Sequence, residues 1–322
     1  MRPLHWRVHH AFRVMRSIHV FIGSALIAVI WFGANIASAQ DLAPRAYLIT
    51  PTGSNAVTLS YSFNDGSVFV DPTLPIEDLK IKFQTQSISY YRAYSLWGRS
   101  SNLTLYLPYA LANAKGVIAG SAAEVYRSGL ADSRIRFSIN LKGGPAKAPR
   151  EFSSWHETSL LGVSFTAVVP TGQYDPARLM NGGANRWAFK PEVGLSKRWG
   201  RWVLDTYAGA WLFTSNNSFY PGSSVRSQQP VGVGEAHLTY YAKPRLWASL
   251  DGNFWIGGRS TVDGHKNADE QRNSRTGITV AVPLNQHQTV KLSYARGAYV
   301  RIGGDYRTLS VAWQYSWLGK SE

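Results

Sequence analysis

Between Val57 and Trp317 the chain alternates apolar and polar residues in segments of about ten, cut by Gly, Pro, Asn and Asp. A period of two marks strands whose two faces meet different surroundings. Leu103, Leu105, Leu107 and Tyr109 stand opposite Asn102, Thr104 and Tyr106, and Ile135, Phe137, Ile139 and Leu141 opposite Arg134, Arg136, Ser138 and Asn140. Charges facing an unbroken apolar stripe fit a wall with lipid outside and water inside. The pattern therefore predicts an all-β fold, a transmembrane antiparallel β-barrel.

The segments number about twelve, an even count as in bacterial barrels. They begin near Val57, Leu79, Asn102, Arg134, Glu157, Asn185, Trp202, Val231, Leu246, Ser274, Thr289 and Arg307. Tight connections at Trp97–Gly98, Trp199–Gly200, Lys243–Pro244 and Asn285–Gln286 alternate with long ones at 64–78, 114–130, 172–185, 215–229 and 258–273. Short periplasmic turns and long external loops give that rhythm. Lys142 to Trp155 is long where a short turn is expected, which leaves about ten or fourteen strands open. The second segment loses its alternation between Phe83 and Ile88, which suggests a bulge. Arg296 falls on the outward face of the eleventh segment and is expected near the outer rim, where a charge costs little.

Ahead of the barrel, Arg2, Arg7, Arg13 and Arg16 precede an apolar run, Val20 to Phe32, and Ala37-Ser38-Ala39. This is the layout of a signal peptide over residues 1–39, cleaved before Gln40, with Met1 or Met15 as the start. The run is too short to span a bilayer as a helix. Residues 40–55, with Pro44, Pro51 and Gly53, read as a periplasmic arm or partial plug, and 56–322 as the barrel. Export implies the bacterial outer membrane. Loss of four arginines reduces the formal charge from +15 to +11, since the leader holds no acidic residue. The cations are scattered rather than clustered, which argues against a nucleic-acid partner. The 12 Trp and 17 Tyr are many for a soluble chain, but barrels gather aromatics at both interfaces. Trp97, Trp199, Trp202, Trp247, Trp313 and Trp317 fall near the expected periplasmic rim, and Trp187, Phe219, Tyr220 and Tyr299 near the other.

Enzyme motifs fail. His156-Glu157 lacks the second His of a zinc protease because Leu160 stands there. Gly194-Leu195-Ser196 lacks the closing Gly of a nucleophile elbow because Arg198 stands there. The chain has no Cys, hence no disulfide or thiolate metal site. No cofactor or metal site is expected. His237 is the one strand histidine expected to face inward, and a lipid hydrolase would need a Ser beside it. The inward face offers a solute path instead. It carries Arg134, Arg136, Lys190, Glu192 and Asp205 on early strands, then Glu235, His237 and Asp251, with the rings of Tyr207, Trp211 and Trp255. Both charge signs occur, so strong ion selectivity is not expected. A narrow barrel closed by its own side chains remains the alternative.

Several stretches carry a family likeness: Asp41 to Tyr47, Pro170 to Pro176 with Asn181 and Asn185-Arg186-Trp187, Phe189 to Ser196, Trp247 to Asp251, and Trp313-Gln314-Tyr315. Together they resemble the outer-membrane transporter family of the phenol-degradation meta-pathway, over nearly the whole mature chain. The resemblance implies an outer-membrane barrel that takes up aromatic or other hydrophobic compounds, and brings no binding residues to carry over. Within it, Tyr174, Asp175, Asn181, Asn185 and Arg186 are the candidates for a loop constriction, though turn chemistry alone would ask for such residues. Expected partners are membrane lipids and lipopolysaccharide, small solutes, and the barrel-assembly machinery. Assembly signals of such barrels usually end on an aromatic residue, whereas Leu318 to Glu322 follow Trp317 here. The function expected is passive uptake of small solutes, against a lipid-acting enzyme or a closed structural or adhesive barrel.

Overall fold

A computed structural model describes residues 42–71, 76–178 and 180–319. The expected signal peptide, its cleavage point and both candidate starts lie outside the described residues, as do Pro72, Pro75 and Leu179. In chain order the strands are β1 (Ser54–Phe69), β2 (Ile76–Leu96), β3 (Arg99–Ile118), β4 (Ser121–Leu130), β5 (Ser133–Lys142), β6 (Ser159–Val169), β7 (Ala188–Trp199) and β8 (Trp202–Phe213). Then come β9 (Asn216–Phe219), β10 (Ser224–Gln228), β11 (Val231–Lys243), β12 (Leu246–Gly257), β13 (Ser260–Val262), β14 (His265–Lys266), β15 (Gln271–Pro283), β16 (Gln288–Val300) and β17 (Gly303–Leu318). The first and last close the wall, in register from Ser54↔Leu318 to Phe69↔Gly303. β4 and β5 follow one another along β3, where Leu130 meets Tyr109 and Arg134 meets Tyr106, so they form a single stave. The 13 strands of the sheet thus make a closed antiparallel barrel of twelve staves.

Every pair of neighbouring staves is antiparallel, and at one end the connections are short. At Trp97 and Gly98 both φ angles are positive (53° and 71°), as a two-residue hairpin turn requires. Lys142 to Trp155, at this same end, hides no pair of staves. It holds one helical turn, α1 (Pro149–Phe152), and a single bridge from Pro145 to Arg99. At the other end the connections 214–230 and 258–270 contribute β9, β10, β13 and β14 to a small sheet in the order β14-β13-β10-β9.

The alternation sorts the side chains as the sequence predicts. Leu59, Leu107, Phe165, Leu195, Leu250, Ile278, Leu292 and Leu309 are all exposed on the outside. In water so large an apolar patch would drive association; around a closed barrel it is the face that meets acyl chains. Arg296 is exposed on β16, toward the loop end.

The lost alternation between Phe83 and Ile88 has a different cause from the bulge expected there. β2 stays in continuous register with β1 from Lys80↔Ser67 to Arg92↔Asn55, and its irregularity lies earlier, between Glu77 and Lys80, where Asp78 has φ 51°. What changes at Phe83 is the surroundings. Below it, Ile88 points out and Ser87 in; above it, Lys80 and Lys82 point out, while Ile81 and Phe83 join an interior apolar cluster with Val68, Met180 and Tyr306. β1, β2, β3 and β4 run past the apolar belt into water, so their outer face becomes polar and their inner face apolar. For the same reason the stretches 64–78 and 114–130, expected as loops, are mostly strand among the described residues, with β1 reaching Phe69, β2 starting at Ile76, and β3 and β4 joined through Ala119–Gly120. Two expected rim aromatics also move: Trp247 faces inward at 7% exposure, and Phe219, on β9 of the small sheet, is 2% exposed.

Candidate functional site

The lumen is layered, and its lowest layer is built around residues 42–53, which enter the barrel from the turn end. Arg45 takes a left-handed backbone conformation (φ 66°) and aims its guanidinium at the wall. Nη1 donates to Asp205 at 3.0 Å, Nη2 to both oxygens of Glu157 at 2.6 and 2.5 Å, and Nε to the Tyr241 hydroxyl at 3.0 Å. Arg198 reaches Glu157 at 3.4 Å, and Ser196 donates to Asp205. Tyr47 lies flat on Gly162 and Gly194, which are paired across β6 and β7. A Cβ on either would meet its ring at 2.3 and 2.1 Å, so only glycine leaves this seat. The Tyr47 hydroxyl bonds Ser164 and the Glu192 carboxylate, both at 3.0 Å.

Above this seat the charges are matched. Lys190 sits 2.6 Å from Glu192 and 3.8 Å from Glu235, and Arg136 lies 3.8 Å from Glu192. His237, fully buried, turns Nδ1 to Asp251 at 2.9 Å and Nε2 to Glu235 at 3.4 Å. Asp251 also accepts from Ser249 at 2.8 Å and Thr279 at 2.7 Å. Both ring nitrogens thus face carboxylates, and the nearby Ser249 hydroxyl points to Asp251, so this cluster lacks the His-to-Ser geometry of a hydrolase.

Toward the loop end the lumen opens into a cavity of about 280 Å³. Leu42 forms part of its floor, Phe83, Tyr106, Trp211 and Tyr306 present rings to it, and Met180 and Ala184 belong to its roof. The roof is the 170–187 connection, folded over the opening and anchored at Asp132, in the break between β4 and β5. That carboxylate accepts from the Gly172 and Ala184 amides at 2.9 and 2.7 Å. Arg186 is 2% exposed, lies 4.3 Å over the Phe213 ring and donates to Gln228. Burial lowers its pKa to about 9, with Asp132 opposing the shift.

Of the residues expected on a solute path, Arg134 and Trp211 line this cavity. Arg136, Lys190, Glu192, Glu235, His237 and Asp251 form the matched layer beneath, and Asp205 belongs to the Arg45 lock. Tyr207 accepts from the Ala46 amide, and Trp255 packs with Trp211, Val231 and Val233 in an apolar wall cluster. Among the loop candidates, Asn181 and Arg186 reach the cavity. Tyr174 bonds Ser218 and Asn216, Asn185 bonds Asn216, and Asp175 bonds Asn181 and pairs with Arg178, so these three brace the roof. Not anticipated were the cavity residues Leu42, Ile81, Phe83, Arg127, Asp132 and Arg275. For Ile81 and Phe83 the lost alternation of β2 was a visible signal.

No match was found among curated proteins. Among solved structures, the chain is similar to an outer-membrane channel from Pseudomonas putida F1, with a TM-score of 0.72 and 17% identity over 86% of this chain and 100% of that one. Lower similarities include the β domain of the Bordetella autotransporter BrkA (TM-score 0.49, 11% identity, 82% and 100% covered) and the Pseudomonas putida toluene transporter TodX (TM-score 0.46, 11% identity, 92% and 97% covered). The closed wall and its apolar belt make the chain an outer-membrane β-barrel. A family model matches residues 60–311, most of the chain, and the protein belongs to that family, described as Putative MetA-pathway of phenol degradation.

Proposed function

We propose that this barrel is a passive channel of the bacterial outer membrane for small solutes with aromatic or otherwise hydrophobic bodies. The observation that carries the reading is the cavity of about 280 Å³ inside the wall, faced by Phe83, Tyr106, Trp211 and Tyr306. A porin interior is polar; a chamber that sets these four aromatic rings among its polar side chains suits a solute with a hydrophobic body. The description of the similar Pseudomonas putida F1 barrel as an outer-membrane channel supports it. His237, held between two carboxylates, gives the lipid-enzyme reading no support.

On this reading residues 1–39 are removed on export, residues 40–55 form the arm of which 42–53 enter the lumen, and 56–322 are the barrel. The barrel-assembly machinery inserts it, and lipopolysaccharide surrounds its outer rim. Purified protein in a planar bilayer should give discrete current steps that added phenol reduces reversibly. Flux of neutral aromatics into proteoliposomes should need no proton-motive force. Absence of both current steps and flux would defeat the proposal, and turnover of lipid lost on His237→Ala would replace it with the enzyme.

A further inference from the structure

We propose that the turn end of the barrel holds anionic phospholipids of the inner leaflet, with their phosphates at Lys142, Lys197 and Arg201. The inference concerns the outer face of the wall and does not depend on whether the lumen conducts. The cations are spread singly along the sequence, but the fold sorts exposed charge between the two ends. Arg99, Lys142, Lys197, Arg201, Lys243 and Arg245 are all exposed at the turn end. Glu151 is the one exposed carboxylate there among the described residues, since Glu157 and Asp205 are buried around Arg45. At the loop end the signs are mixed, because Glu77, Asp78, Glu124, Asp263 and Asp305 are exposed among the cations. Turns of bacterial barrels face the periplasm, so the cationic rim is the one that meets the inner leaflet.

The side chains at the edge of the apolar belt say what this rim holds. Lys142 lies across from Leu161, and Lys197 across from Ser159 and Leu204. Residues opposed in an antiparallel pair share a face, so both lysines point outward beside the stripe of Leu161, Leu195 and Leu204. Their staves, β5 and β7, flank β6 and stand about 10 Å apart. Nearer the turn, Trp199 pairs with Trp202, and Tyr240 packs on Trp202 with ring centroids 4.9 Å apart. Arg201 is exposed in the turn between these two tryptophans, which are themselves exposed. A lysine stem laid along apolar wall brings its ammonium to the level of the phosphates. Trp and Tyr sit at that same level, and each basic group there adds attraction for anionic lipid. An acidic periplasmic protein would meet the charge on the turns but leave the outward rings and lysine stems unused; a phospholipid leaflet meets both.

The test is the lipid selectivity of the full barrel in phosphatidylcholine bilayers, read by electron paramagnetic resonance of spin-labelled lipids at the protein boundary. Spin-labelled phosphatidylglycerol should associate about threefold or more better than spin-labelled phosphatidylcholine. Lys142→Gln with Lys197→Gln and Arg201→Gln should bring that ratio close to unity, while Lys82→Gln, at the loop end, should leave it unchanged. If the triple variant does not fold, Lys197→Gln alone must lower the ratio. A native ratio near unity overturns the inference and leaves this face to an acidic protein. A ratio that the turn-end changes do not lower overturns it as well.

Discussion

Replacing Arg45 by Ala should free the segment that occupies the lower lumen. The Arg45 side chain is 3% exposed, as is that of Glu157, and Asp205 is fully buried. Removing the guanidinium strands two buried carboxylates, a loss of about 3–5 kcal/mol for a buried pair broken from one side. Arg198 still reaches Glu157 at 3.4 Å, which favours the lower end of that range. At about 1.4 kcal/mol per tenfold, the displaced population should then rise roughly a hundredfold. What remains is the seat of Tyr47 with its two side-chain hydrogen bonds, worth about 1 kcal/mol each. The chain has no Cys, so Ala46→Cys provides a single reporter. Its reaction with a membrane-impermeant maleimide tracks the open population when reclosing is fast. Labelling should accelerate by at least about tenfold in Arg45→Ala, with a higher mean conductance. Unchanged labelling and conductance would show that the ion pairs do not hold the segment.

Gly194→Leu should produce the same release by steric means, because its Cβ would lie 2.1 Å from the Tyr47 ring; raised conductance with intact barrel mobility on a gel checks it. On β2, Ile88→Arg puts a charge in the apolar belt and should cost about 2–4 kcal/mol in reversible unfolding from liposomes, whereas Asn113→Arg on β3, opposite Lys82 and above the belt, should cost about 0–1. Asp132→Asn weakens the anchor that accepts the Gly172 and Ala184 amides and should lower the denaturation midpoint relative to wild type.

The alternation made the wall legible because each stave meets lipid on one side and lumen on the other. The outward stripes, including that of Leu309, Val311 and Tyr315, lie where their phase puts them. The same rule misread β2, because it assumes one pair of environments along the whole strand. Above the belt Lys82 faces water and Phe83 the interior, so the period survives while its chemistry reverses. The turn chemistry of the 170–187 stretch marked an ordered loop, but not that Asp132, 40 residues before Gly172, would anchor it. The inward phases placed Arg136, Lys190, Glu192, Glu235 and Asp251 on the lumen side. Their heights depend on stave tilt and register, which no local pattern encodes. Arg45 stood in a familiar motif, but its contacts with Glu157 and Asp205 span 112 and 160 positions and could not be read.

The most direct test of the lumen as the path compares two neighbours on β16. Ser293 faces the chamber, while Leu292 is 49% exposed on the outer face. With each replaced by Cys in turn, a bulky thiosulfonate applied during planar-bilayer recording should cut the current through Ser293→Cys and leave Leu292→Cys unaffected. Block at Leu292→Cys alone, or no effect of modifying Ser293→Cys, would contradict the account.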